Sequence, residues 1–151
     1  MFKKRIGEKN INRSLKNVKR YLGSFKTSEL DEIKIDNFPL FVILEVLSDQ
    51  KTVPYYIAMA IYSKEIYICD SLGYLIQCEH LPHTLINYLN VIIRDRQVHI
   101  TRQLQNSSKN LSAAYCTFFV REMNRVNSFK HFLSYFTCNR NKNDQIISLL
   151  Y

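Results

Sequence analysis

The ten residues from Phe38 to Leu47, FPLFVILEVL, constrain this chain more than any other stretch. Glu45 is the one charge in a near-continuous apolar run of strand length. Such a run reads as a β-strand buried on both faces. Two further strands follow, Pro54 to Tyr62 (PYYIAMAIY) and Glu65 to Asp70 (EIYICD), separated by Ser63-Lys64, a connection short enough for a hairpin. In the second of them Ile66 and Ile68 alternate with Tyr67 and Cys69, as residues on the two sides of a sheet do.

Helical patterns surround these strands. Ile11, Leu15, Val18 and Leu22 recur at helical spacing among basic residues and predict an amphipathic helix stopped at Gly23. The polar stretch 24–37 predicts a loop. Leu81, Leu85, Leu89 and Ile92, with Pro82 in the first turn, predict another helix. Gln97 to Gln103 reads as a strand and Gln105 to Leu111 as a polar loop. Ser112 is placed to cap a helix running through Cys116, Phe119, Val120 and Met123. Helices are also predicted over 128–136 and 144–150. With no internal repeat and no linker, the pattern predicts an α+β fold, with residues 1–10 as a mobile basic arm and 11–151 as one domain.

A chain of 151 residues that is 46% apolar and 13% aromatic can close a hydrophobic core, which excludes a disordered protein. No apolar run reaches the roughly 18 residues of a membrane span, and no signal-peptide core follows the basic N-terminus. An intracellular protein without a membrane partner is the expectation. Cys69, Cys78, Cys116 and Cys138 show neither a close pair nor zinc spacing, so no metal site and no disulfide framework is expected.

Charge is concentrated at one end. Nine basic residues between Met1 and Lys26 stand against Glu8 alone, and this segment carries the whole net charge of +8. Lys3, Lys4, Arg5, Lys9, Arg13, Lys16, Lys19 and Arg20 are the candidate contacts to DNA or RNA, read as non-specific because no base-reading motif is present. The competing reading is a solvated face.

Several segments, taken in order, resemble the adenovirus-protease-like (adenain-like) cysteine peptidases and their wider relatives, the SUMO-specific proteases. Arg20-Tyr21-Leu22-Gly23-Ser24-Phe25 is similar to the family's Tyr-Phe-Leu-Gly-Thr-Tyr segment, and Tyr55-Tyr56-Ile57-Ala58-Met59-Ala60 to its His-Trp-Met-Ala-Phe-Ala strand. Cys69-Asp70-Ser71-Leu72-Gly73-Tyr74 resembles Phe-(Asp/Glu)-Pro-Phe-Gly-Phe, and Ser112-Ala113-Ala114-Tyr115-Cys116 resembles Ser-Ala-Ala-Cys. The matches span about residues 10 to 126.

The resemblance implies a central mixed sheet flanked by helices, with the nucleophile-position cysteine at a helix N-terminus, where the helix field favours thiolate. It implies Cys116 as nucleophile and Asp70 as the orienting acid. Asn110 is the oxyanion-supporting position, or Gln105 if the loop is longer. The catalytic histidine's place is held by Tyr55, or by Tyr56 after a slip of one residue. One residue is inserted before Cys116, and Thr117 stands where the family has glycine. A phenol of pKa near 10 cannot accept the thiol proton at neutral pH as imidazole does. The implied function is therefore a peptidase-like module with impaired catalysis that binds a polypeptide, such as a virion protein, in a host nucleus or a virion. The alternatives are an active endopeptidase with a rearranged site, its base drawn from His80, His83, His99 or His131, and a nucleic-acid-binding protein. No cofactor is implied. Gln97 to Ile100 carries no cysteine, so a disulfide-linked peptide activator is not expected.

Overall fold

A computed structural model describes residues 8–47, 53–77 and 81–151, with side chains described from Asn10 onward. Its elements run α1 (Glu8–Leu15), β1 (Tyr21–Lys26), a 3-10 helix (Thr27–Glu32), β2 (Leu40–Val46), β3 (Tyr55–Ile61) and β4 (Glu65–Cys69). They continue with α2 (Tyr74–Gln77), α3 (His83–Ile93), β5 (Gln97–Ile100), α4 (Ser112–Val126), α5 (Phe129–Leu133) and α6 (Arg140–Leu150). The strands form one mixed sheet in the order β1-β2-β3-β4-β5. The outer pairs β1–β2 and β4–β5 are parallel and the inner pairs antiparallel. The fold is thus α+β.

The apolar run behaves as its composition demands. Every residue of β2 is buried except Glu45, and every residue of β3 is buried. Period-two geometry divides these residues between two cores. Phe41 and Ile43 of β2, with Tyr56, Ala58 and Ala60 of β3, face a cluster built from α1, α4, α5 and α6. Leu40, Val42, Leu44 and Val46, with Tyr55, Ile57, Met59 and Ile61, face a second cluster with Leu30, Leu72, Leu75, Leu85 and Ile92. Ala58 and Ala60 are small where the longest helix lies across the sheet, so the backbone of α4 can approach β3 closely.

Two expectations at the N-terminal end are corrected. The helix predicted over 11–22 spans Glu8–Leu15, so it starts inside the segment expected to be a mobile arm. The chain turns at Val18, whose N–H donates to the Leu15 carbonyl at 2.9 Å, and then enters β1 in parallel register with β2. Leu22 continued the helical spacing by coincidence, while Tyr21 and Phe25 suit a strand. Gly23 ends no helix. It sits at a register irregularity in β1 with φ +130°, where a side chain would be strained. The predicted polar loop at 24–37 contains the end of β1 and the 3-10 helix, whose Leu30 is buried and whose Glu29 carboxylate accepts the Lys26 N–H at 3.0 Å. Polar composition hid that short element because one apolar residue makes no period. Residues 1–7, Cys78 and His80 lie outside the described residues.

The remaining elements follow the sequence closely. The hairpin at Ser63-Lys64 joins β3 and β4 in antiparallel register, with Met59 opposite Ile68. Pro82 stands at the N-cap of α3, and Ser128 caps α5, its hydroxyl accepting the His131 N–H at 3.1 Å. Among the described residues no helix is long and apolar enough to cross a membrane.

Candidate functional site

Tyr55 opens β3, Asp70 follows the end of β4, and Ser112 and Cys116 belong to α4. Contrary to expectation, Ser112 does not cap α4; Leu111 holds the N-cap position without a side-chain cap, and Ser112 is the first helical residue. Its buried hydroxyl instead accepts the backbone N–H of Tyr56 at 3.0 Å, fastening the helix start to β3. A free serine oxygen suits either job, and the proximity of β3 decides between them.

Cys116 lies a full turn inside α4 rather than at its N-terminus. The helix ladder already closes before it, with Tyr115 N–H donating to the Leu111 carbonyl at 3.1 Å, so the amides left open belong to earlier residues. Cys116 is 0% exposed. Burial pushes its thiol well above the usual cysteine range, and a hydrogen bond to the Cys69 thiol and the nearby Asp70 carboxylate push the same way. The environment stabilises thiol over thiolate.

Asp70 follows the last residue of β4 and is also 0% exposed. Its Oδ2 accepts the Leu75 N–H at 2.7 Å, which caps the short helix α2, and its main-chain carbonyl accepts the Gly73 N–H at 3.0 Å. Gly73 has φ +73°, and a Cβ there would meet Gln103 Cβ at 3.1 Å, so glycine is required in this turn. Oδ1 has no hydrogen-bond partner. Burial raises the carboxyl pKa, against the lowering effect of the Leu75, Gly73, Leu72 and Tyr74 amides.

Tyr55 belongs to the second core, on the sheet face away from α4. Its ring meets Tyr74 edge-on at 5.1 Å, and its hydroxyl is buried without a partner. Burial, then the Asp70 charge, then Tyr74 drive its pKa far above the normal phenol value. Tyr56 is on the α4 side, but its hydroxyl donates to Glu45 Oε1 at 3.2 Å. Neither phenol is placed or poised to take a proton from Cys116.

The described histidines lie elsewhere. His99 stacks on Tyr67 with centroids 4.7 Å apart, His131 Nε2 lies 3.2 Å from the Tyr135 hydroxyl, and His83 is exposed at the start of α3. Gln105 is buried and its amide is fully used: its Oε1 accepts the Ser71 hydroxyl and its Nε2 donates to the Lys109 carbonyl at 2.9 Å. Asn110 is exposed and lines a cavity of about 770 Å³ with Lys109, Leu111 and Asp144. The Thr117 hydroxyl donates to the Ala113 carbonyl at 2.9 Å inside the helix.

Cys69, the last residue of β4, is wholly buried. The alternation in β4 already placed it opposite Ile66 and Ile68, on the side that receives α4. No His, Cys, Asp or Glu group of three or more is arranged to hold a metal ion among the described residues. At the N-terminal end Arg13, Lys16, Lys19 and Arg20 are exposed, and Arg20 Nη1 donates to the Asn37 carbonyl at 2.6 Å. Lys3, Lys4 and Arg5, and the Lys9 side chain, lie outside the described residues. No family model matches the chain, and no curated protein matches it in sequence.

Proposed function

We propose that this chain is an adenovirus-protease-like domain that has lost peptide hydrolysis and acts by binding an extended polypeptide. The observation that carries the reading is the state of Cys116: wholly buried and one turn inside its helix, where burial holds its thiol pKa well above the usual range. A thiol protease needs a low-pKa, accessible sulfur with an adjacent base, and this one has the opposite environment. The order of the similar segments along the chain, and a mixed sheet with Asp70 and Cys116 near one another across β4 and α4, support descent from such a scaffold. The short edge strand β5, with Gln97 and Val98 exposed, offers backbone groups to an added strand.

The test is a peptide array tiling viral capsid and core proteins, probed with the purified chain and followed by mass spectrometry of each bound peptide. Binding with every peptide intact is the expected result. Cleavage that disappears in Cys116→Ala overturns the loss of hydrolysis, and absence of any binding overturns the polypeptide role.

A second reading has its own observation. Arg13, Lys16 and Lys19 are solvent-exposed on α1 and the turn after it, in the segment that carries the chain's net charge. Non-specific DNA or RNA binding through this surface is compatible with the first reading and depends on counterion release.

A further inference from the structure

The cavity that Asn110 lines has no part in the account of Cys116. Residues 109–111 form one side of it and α6 supplies the rest, around a volume of about 770 Å³. That size is in the range of sites that enclose a small ligand or a short stretch of peptide. Its two sides are tied together. Asn106 Nδ2 donates to Asn141 Oδ1 at 3.1 Å, and Asn143 Nδ2 donates to the Leu104 carbonyl at 3.0 Å. The loop is thereby fastened to α6 beside the cavity.

Asp144 gives the lining its chemistry. It is 5% exposed, its Oδ1 accepts the Tyr115 hydroxyl at 2.8 Å, and its Oδ2 accepts the Asn106 N–H at 3.1 Å. A carboxylate has about four acceptor positions, so each oxygen keeps a lone pair beyond these bonds. Buried carboxylates are ordinarily matched by a cation. Among the described residues the ion pairs all belong to Glu122, and none to Asp144. Around it the lining includes the exposed amides Asn110, Asn141 and Gln145, which both donate and accept as peptide groups require.

We propose that this cavity is a specificity pocket for one basic side chain of a bound polypeptide, its guanidinium or ammonium seated against Asp144. The inference rests on the polypeptide-binding reading and adds what that polypeptide must carry. Arginine suits the pocket better than lysine, because its planar fork can bond both carboxylate oxygens. Asn110, Asn141 and Gln145 serve the flanking main chain. Lys109, the other charged residue of the lining, is exposed and disfavours a second cation nearby. The pocket therefore selects an isolated basic residue, not a basic run.

The experiment measures fluorescence anisotropy of the full chain with pools of labelled hexapeptide amides, degenerate except for one central residue. That residue is Arg, Lys or citrulline, the last a neutral isostere of arginine. Salt is held at about 150 mM to screen exposed charges. The Arg pool is expected to bind about tenfold tighter than the citrulline pool. Gln145→Trp, which fills the cavity from an exposed position on α6, and Asp144→Asn are each expected to abolish that preference. Equal binding of the Arg and citrulline pools, or a preference that survives Gln145→Trp, overturns the pocket and leaves the polypeptide role standing. Should Asp144→Asn fail to fold, Gln145→Trp and the citrulline pool decide. Binding by none of the pools removes the polypeptide role, and N-acetylarginine amide then tests the pocket alone by NMR titration. Shifts confined to the side-chain amides of Asn110, Asn141 and Gln145 support it, and unchanged amides overturn it.

Discussion

Tyr55 and Cys116 belong to the cores on opposite faces of one sheet, Tyr55 with Leu72, Leu75 and Tyr74, and Cys116 with Cys69 and Ala58. This division follows from a period of two: residue 55 shares its face with Ile57 and Met59, and those side chains pack away from α4. Asp70 follows the end of β4; its charge raises the pKa of both groups, and its carboxylate serves the backbone of α2.

Tyr55→His is therefore expected to create no peptidase. The imidazole would inherit a position in the second core, and kcat/KM for any peptide should stay at the level of the unmodified chain. Tyr55→Phe removes a buried hydroxyl without a partner, so stability should be unchanged or higher by about 1 kcal/mol. Urea unfolding of the variant measures it, and a loss of more than about 1 kcal/mol would show that the hydroxyl has a partner.

Ser112 joins helix to sheet through one hydrogen bond to a buried main-chain amide. Ser112→Ala leaves the Tyr56 N–H without its acceptor, which costs about 1–3 kcal/mol. Faster hydrogen exchange at Tyr56 than elsewhere in β3 should accompany the loss. An unchanged unfolding midpoint contradicts this role for the hydroxyl.

Asp70 makes a pH prediction with a definite sign. Its folded pKa is raised, chiefly by burial, so the folded state holds the proton more tightly than the unfolded chain. Its contribution to stability is then full below the ordinary carboxylate range and is lost as pH rises through the raised folded pKa. Asp70→Asn keeps an oxygen for the Leu75 amide and removes the titration. Chemical unfolding across that range should show the natural chain losing stability relative to the variant as pH rises. Parallel curves would contradict the raised pKa.

The basic N-terminal surface predicts salt dependence. If Arg13, Lys16 and Lys19 meet phosphates, replacing all three with Gln should lower the slope of log affinity against log salt by about 2–3 for duplex DNA. Fluorescence anisotropy with a short duplex measures the slope. The same slope before and after substitution would place the contacts elsewhere.

Much of the sheet was legible because its residues obey one strong rule. Phe38–Leu47 contains β2, and the Ser63-Lys64 spacing set the hairpin. Of the predicted helical residues, Leu85, Leu89 and Ile92 likewise lie in α3, while Leu81 precedes its N-cap. The N-terminal third was less legible because Val18 and Leu22 continued the spacing of α1 after its hydrogen bonds had ended, and β1 declared itself only by pairing with β2. At the site, Cys116, Asp70 and Tyr55 could be named from order along the chain, but their faces and burial could not. Ser112 is the clearest case: its type suits a cap, and only the neighbouring strand shows that it serves Tyr56.

Alkylation of the reduced, folded chain by an electrophilic chloroacetamide, from about pH 6 to about pH 9, measures the state of the sulfur most directly. Exposed Cys138 is the internal control. Cys138 should be labelled while Cys116 stays unmodified until denaturant is added. Labelling of native Cys116 faster than Cys138, with a pH profile showing a lowered thiol pKa, would contradict the account.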